Sequence, residues 1–316
     1  MHIASLYRYP VKGLSPERLP CVDITAGKGF PLDRVYALLR TSAAFDPQSP
    51  AWLAKANFIM LMLHEQIATV QTRYVHDDQS LHVHTAEGHE QVFMLGEQAG
   101  REALSQFFLN FMPTQLSAAP RLVVSPGHQF TDKAEKFISL INLASVRELE
   151  QRWGQDLDPL RFRANVYIDN APPFCEFDWV GQDIQLGAVT ARVVKRNGRC
   201  AATNVNPTTG ERDRNVPGML RMEFGHKDLG VYLTALQNGV LHEGDPVKAN
   251  HVDANHHVAA RAAVSTTGQL MCTACYYLFD PRILNSAWTH PQDLPDSWRC
   301  PDCGAAREQL TEKNLN

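Results

Sequence analysis

The stretch "GVYLTALQNGVLHEGDPV", residues 230–247, holds two apolar runs around Asn238-Gly239 and reads as a pair of strands. An Asn-Gly dipeptide between such runs predicts a tight hairpin turn. Upstream, "RLVVS" (121–125), "RANVYID" (163–169) and "DIQLGAVTARVV" (183–194) read as strands as well. "HIASLYRYPV", "CVDITAG" and "RVYALLR" add short apolar segments near the N-terminus. "QIATVQTRYV" and "SLHVHTAEG" flank "HDDQ" and predict a hairpin. Helical spacing is clear in two places. One is "GEQAGREALSQFFLNFM" (96–112); the other is "NLASVRELEQRWG" (142–154), with Asn142 as N-cap and Gly154 as stop. Strands dominate and few helices separate them. That predicts a strand-dominated mixed α/β chain with a closed or nearly closed β-barrel body, not a doubly wound sheet.

The 316 residues suffice for two or three domains. The expected division is a β-rich N-terminal domain over 1–115, a barrel domain over 116–249, a small polar linker over 250–268 and a metal-binding module over 269–316. A net charge of −4 argues against a broad nucleic-acid-binding surface. No apolar run nears the ~18 residues that cross a bilayer, so no membrane partner is expected. "MHIASLYRYPVKG" has no signal-peptide pattern.

Seven cysteines are unevenly spread. Cys272, Cys275, Cys300 and Cys303 form two C-x-x-C pairs, in "MCTACYYLFDP" and "SWRCPDCGAA". Each spacing aims two sulfurs at one metal, and two such loops make a tetrahedral S₄ site. Spacing does not separate zinc from iron. A module this small lacks the core to fold without its metal. This usage points to a reducing cytoplasm rather than a disulfide framework. Cys21 and Cys175 are expected in the core, as are Trp179 and Trp298. His82 and His84 read as solvated, and His251, His256 and His257 as linker.

"VVKRNGRCAATNVNPTTG" (193–210) places Cys200 after an expected Asn197-Gly198 turn, among Lys195, Arg196, Arg199 and Thr203. Neighbouring cations favour the thiolate, the form that ligates metals.

Several ordered segments carry a resemblance to the MOSC family, the domains related to the C-terminal part of molybdenum cofactor sulfurase. They are "LYRYPVKGLSPERL", "GKGFPLDRVYALL", "RFRANVYID", "APPFCEFDW", "GRCAATNVNPTTG" and "GVYLTALQNGVLHEGDPV", spread over residues 1–248. By architecture the chain resembles the mitochondrial amidoxime reducing component and bacterial proteins that join a MOSC body to a ferredoxin. "DLPDSWRCPDCGAA" and "CTACYYLFDP" are similar to the halves of a rubredoxin. The resemblance implies a molybdenum-pterin cofactor with Cys200 as metal ligand and catalytic residue. It implies cofactor contacts from Lys12, Arg34, Arg163, Asn165 and Tyr232, and an α-helix capped by Asn142 offering N–H groups to a phosphate. It also implies one iron held by the four paired cysteines, with zinc as the alternative. The implied activity is an oxidoreductase acting on small N-hydroxylated compounds, hydroxylated bases included, and fed by an electron-donating reductase. The alternative is a non-catalytic cofactor or sulfur carrier with a zinc ribbon for partner binding.

Overall fold

The computed structural model describes residues 1–249, 270–273, 278–279, 290–300 and 305–312. In chain order the elements are β1 (His2–Arg8), β2 (Glu17–Leu19), β3 (Cys21–Ile24), β4 (Tyr36–Leu39), β5 (Gln71–Val75), β6 (Ser80–His84), β7 (Glu90–Met94), α1 (Gln98–Phe111), β8 (Arg121–Val124), β9 (Ile138–Asn142), α2 (Leu143–Trp153), β10 (Val166–Asp169), β11 (Asp183–Leu186), β12 (Val189–Gly198), α3 (Val216–Phe224), β13 (Asp228–Ala235), β14 (Gly239–His242), β15 (Val247–Lys248), β16 (Leu270–Cys272), β17 (Leu278–Phe279) and β18 (Leu310–Glu312).

Eight strands make the main sheet, in the order β15-β11-β12-β13-β9-β10-β1-β2. Alternation explains it. Along β12, Val189, Ala191 and Val193 are buried while Arg192 and Val194 face out, the two-residue period of a strand with one wet face. The sheet curls until β1 meets the 244–247 segment. Ile3 N donates to Asp245 O (2.8 Å), Gly244 N to Ile3 O (2.8 Å) and Val247 N to Met1 O (3.1 Å). Closure satisfies edge groups that would otherwise be open to pairing. Inside lie Leu6, Leu140, Val166, Ile184, Val231, Leu233 and Trp179.

β9 and β10 pair in parallel, which demands a crossover. α2 supplies it and is built from local signals. The Asn142 side chain accepts from Ala144 N, and Gly154 closes the helix in the left-handed region (φ 70°). Val146 and Leu149 pack with Ile141 and Tyr167 in a core outside the barrel.

A third core lies beside the barrel. Leu104, Phe108 and Met112, from α1 and its C-cap, pack on the β4–β8 pair and the β5–β6–β7 sheet. The expected hairpin around "HDDQ" is the β5–β6 pair. The division of cores does not fall at residue 115. β1 and β2 belong to the barrel sheet, whereas β8 pairs with β4.

Three local expectations are corrected. Asn238-Gly239 does not fold β13 and β14 into a hairpin. β14 pairs with β3, and Asn238 Oδ1 accepts from Ala26 N (2.9 Å), so the dipeptide turns the chain toward a non-local partner. Asn197-Gly198 is not a turn but the end of β12, with Gly198 opposite Asp228. Cys21 sits on β3 but is exposed, because Val22 and Ile24 take the inward positions. α3 had no counterpart among the expected elements. Trp179 and Cys175 are core, as expected.

Among the described residues, no helix is long and apolar enough to cross a membrane. The linker 250–268, Cys275 and Cys303 lie outside the described residues. Cys272 and Cys300 are described and buried.

Candidate functional site

Where the segment after β1, the loop before β4, the loop before β9 and the end of β12 converge, they line an open cleft of about 1010 Å³. Lys12, Arg34, Lys55, Lys133, Arg161, Arg163 and Arg199 line it, against only Asp33, Asp132 and Glu135. Seven cations facing three acids mark a site for an anion.

Tyr9, fully buried, organises one wall. The Arg163 guanidinium stacks on its ring at 4.2 Å and that of Arg34 at 4.7 Å. Both arginines hold left-handed backbones, φ 50° and 53°, a conformation costing about 1 kcal/mol or more outside glycine. Tertiary hydrogen bonds hold them there. Arg34 N donates to Tyr9 O (2.7 Å), Arg34 O accepts from Phe130 N (2.8 Å), and Arg34 Nη2 donates to Arg163 O (3.0 Å). Asp33 pairs with Arg34 and takes Tyr9 N at 2.8 Å. Arg163 donates Nη2 to Leu14 O (2.7 Å) and has no carboxylate partner among the described residues. Burial, with Arg34 adding to it, pulls its pKa down to about 10.

Lys12 is buried, donating to Phe130 O (3.0 Å) and to Asp132. Burial lowers its pKa and Asp132 counteracts this. Desolvation opposes ionisation of Asp132, but the Lys12 ammonium outweighs it and holds that carboxyl well below the usual range.

Arg161 stands near Arg163 but differs from it. It pairs with Asp213 (2.7 Å) and donates to Asn204 O (3.1 Å), so its charge is met within the fold.

Cys200, half-buried, ends β12 and begins a short 3₁₀ turn, Ala201–Asn204. Its carbonyl takes Thr203 N (3.0 Å) and Oγ1 (2.8 Å), which fixes the turn. Arg199 points inward beneath it. Nε and Nη2 donate to Leu229 O, the first at 2.7 Å, and Nη1 donates to Phe162 O at 3.0 Å. With its amide oriented to satisfy both neighbours, Asn197 accepts from Arg199 Nη1 and Nη2 (3.2 and 3.1 Å) and donates to Tyr232 Oη (3.0 Å). All five Arg199 N–H groups thus meet neutral acceptors, and no carboxylate pairs with it among the described residues. A buried charge left unpaired costs several kcal/mol. The five hydrogen bonds to neutral acceptors offset part of that.

Tyr232 lines the cleft and stacks on Phe137 at 5.3 Å. Asn165 also lines it, but its amide is committed to the fold. Oδ1 accepts from Ser139 N and Oγ (3.1 and 2.9 Å), and Nδ2 donates to Tyr7 O (3.2 Å). Asn142 is not among the cleft residues. It is fully buried, capping α2 and donating to Pro172 O (2.7 Å) and Glu176 (3.1 Å). Lys12, Arg34, Arg163, Asn165, Cys200 and Tyr232 are brought together. Asp132, Phe137 and the Met60–Leu61–Met62 wall come from loops without a motif, and sequence reasoning missed them.

The tail packs on this same edge. One apolar cluster joins Met60, Met62 and Ala201 to Leu270, Cys272, Leu294, Trp298, Cys300 and Leu310, with Cys200 against it. A metal group fits this donor set on two counts. Cys200 offers a soft ligand, and the half-buried Arg163 and buried Arg199 are cations with no carboxylate paired to them among the described residues, as an anionic, phosphate-bearing ligand requires.

Residues 126–248 match the family model of the MOSC domain. Mitochondrial amidoxime-reducing component 1 of Danio rerio is 33% identical over 118 residues, 35% of this chain and 36% of that protein. Molybdenum cofactor sulfurase of Drosophila willistoni is 32% identical over 113 residues, 35% of this chain and 14% of that protein. The chain therefore spans about a third or less of the length of these relatives. Among solved structures, the YUAD protein of Bacillus subtilis is 13% identical, with a TM-score of 0.36, covering 78% of this chain and 92% of that one. Residues 126–248 thus match the MOSC domain model, and the curated relatives that the chain resembles are an amidoxime-reducing component and a molybdenum cofactor sulfurase.

Proposed function

We propose that the chain is a molybdenum-cofactor-dependent oxidoreductase that reduces small N-hydroxylated compounds. The observation that carries this reading is the meeting, in one cleft, of Cys200 with the half-buried Arg163 and the buried Arg199, neither paired with a carboxylate among the described residues. Cys200 would ligate the metal, and Arg163, Arg34 and Lys12 would neutralise the cofactor's phosphate. Arg199 would balance charge behind the thiolate, and Tyr232 would orient a polar group of the cofactor or substrate. When bound, the group would supply two-electron reductive removal of oxygen from an N–O bond. The protein contributes binding, orientation and exclusion of water by the Met60–Leu61–Met62 wall.

Cys272, Cys275, Cys300 and Cys303 would hold one iron, reduced one electron at a time by an external reductase in a reducing, cytoplasmic setting. The shared apolar cluster of Cys200, Cys272 and Cys300 supports direct delivery of electrons from this module. Metal analysis of the full chain from iron- and molybdate-replete cells is expected to give about one Mo and one Fe per chain, with the red colour of ferric thiolate. Zinc without molybdenum would defeat the enzymatic reading in favour of a non-catalytic carrier with a zinc ribbon. Deleting residues 269–316 is expected to leave molybdenum bound while abolishing turnover with the physiological donor. Full turnover by the shortened chain would show that the module carries no electrons.

A further inference from the structure

The loop that follows the Cys200 turn reaches back to the apolar wall of the cleft. Cys200 opens the 3₁₀ turn Ala201–Asn204, and residues 205–215 continue from it as a closed loop. Asn206 N donates to Glu211 O (2.8 Å) and Gly210 N to Asn206 O (3.0 Å). Asn206 Nδ2 donates to Asp213 Oδ2 (3.0 Å), and Val216 N to Asn204 Oδ1 (3.0 Å). The loop lies close against the 3₁₀ turn Glu65–Thr69. Gly210 has φ +72°, and a Cβ there would stand 2.9 Å from Thr69 Cγ2 and 3.2 Å from Glu65 O.

From this loop the half-buried Arg212 brings one nitrogen, Nη2, to three acceptors. They are Met62 O (2.7 Å), Glu65 Oε2 (2.9 Å) and, more loosely, Leu61 O (3.3 Å). Leu61 O and Met62 O belong to the two peptide planes that flank the Met62 Cα. Each plane is rigid, so holding both fixes φ and ψ of Met62 and with them the direction of its side chain. The turn has little else to hold it: Leu63 N and His64 N share one acceptor, Met60 O (3.0 and 2.9 Å). Bonds from a charged donor are stronger than those between neutral groups, and the Glu65 carboxylate keeps the guanidinium in place over the turn.

Direction matters because the wall has two sides. Leu61 packs with Ile67, Val70 and Val205 in the core that α1 covers. Met60 and Met62 face the other way. With Ala201 they meet Leu270, Cys272, Leu294, Trp298 and Cys300 of the tail, and Cys200 packs against the same cluster. Methionine is unbranched and polarisable, which suits an irregular seat of this kind. Arg212 itself is not among the residues lining the cleft.

We propose that Arg212 is a positioning residue for the tail module: by fixing the backbone around Met62 it holds the wall on which the tail seats beside Cys200. This rests on the proposed function only for what the seated module delivers. The seating itself depends on neither molybdenum nor the identity of the tail metal.

The test compares the full chain with Arg212→Ala and Arg212→Lys by amide hydrogen exchange. In Arg212→Ala the Leu63 and His64 amides are expected to exchange about tenfold faster or more, the scale of losing hydrogen bonds to a charged group. Peptides covering residues 270–272 and 294–300 are expected to speed up with them, while β9 and β10 stay protected. Arg212→Lys, a point donor without the guanidinium fork, restores only part of the protection. In the metal-loaded protein, kcat with electrons delivered through the tail is expected to fall at unchanged KM, because delivery and not substrate binding has been loosened. Unchanged exchange at Leu63 and His64, or faster exchange there with the tail peptides unmoved, overturns the proposal. A kcat that holds while both sets of amides loosen strikes the delivery of electrons and leaves the seating. If the parent itself carries no molybdenum, the functional reading fails, while the exchange rates still decide the seating. If Arg212→Ala does not fold, Arg212→Lys must by itself speed both sets of amides, and unchanged rates overturn the proposal.

Discussion

Gly230→Ala is expected to abolish the native fold. The new Cβ would lie 2.2 Å from Leu140 O and 2.7 Å from Ile141 Cδ1. The first is a backbone atom in β9, which is hydrogen-bonded to a strand on each side. It can retreat only if the barrel opens. The left-handed φ of +76° adds a conformational penalty of about 1 kcal/mol. Together the two effects place this substitution with the largest known single-residue losses, about 4 kcal/mol or more. Gly225→Ala separates the terms. It has a similar φ of +75° but nothing within 4 Å of its Cβ, so about 1 kcal/mol is expected there. Chemical unfolding of both variants reads the difference. Equal midpoints would show that β13 does not pass β9 this closely.

Cys200→Ser is expected to leave the fold intact and empty the cleft of molybdenum. The side chain is only half-buried, and the turn it begins is held through its carbonyl by Thr203, not through its sulfur. Serine keeps the volume but replaces a soft thiolate with a hard hydroxyl that stays protonated at neutral pH. Losing an outer partner of a metal ligand costs 10- to 100-fold in affinity, so loss of the ligand itself is expected to cost about tenfold at the least. Metal analysis beside an unchanged melting curve checks this. Full molybdenum content in Cys200→Ser, with N–O reduction retained, would remove the thiol from the mechanism.

These two residues also differ in how readily sequence announces them. Cys200 is conspicuous, a thiol among cations. Gly230 opens an ordinary apolar strand, and its requirement arises from Leu140, ninety positions away. The tail illustrates the same division. The spacing of Cys272, Cys275, Cys300 and Cys303 is a local pattern that any reader of the chain can see. That Cys272 and Cys300 pack against Met60, Met62 and Ala201 depends on a surface assembled from distant segments.

What the chain alone determined is whatever its local forces decide. The two-residue period of β12, the Asn142 and Gly154 caps of α2, the β5–β6 hairpin and the dominance of strands all follow from interactions within a few residues. What only the tertiary structure decided is partner choice. Asn238-Gly239 carried a strong hairpin signal, yet β14 pairs with β3 in a separate two-stranded sheet, which lets Val22, Ile24 and Leu241 bury their side chains in the barrel core. Arg161 and Arg163 are two residues apart, and the sequence does not tell them apart. Asp213 meets one charge, and no carboxylate among the described residues pairs with the other. A buried charge is structural or functional according to which distant group folding brings to it, and the order of residues along the chain does not encode that locally.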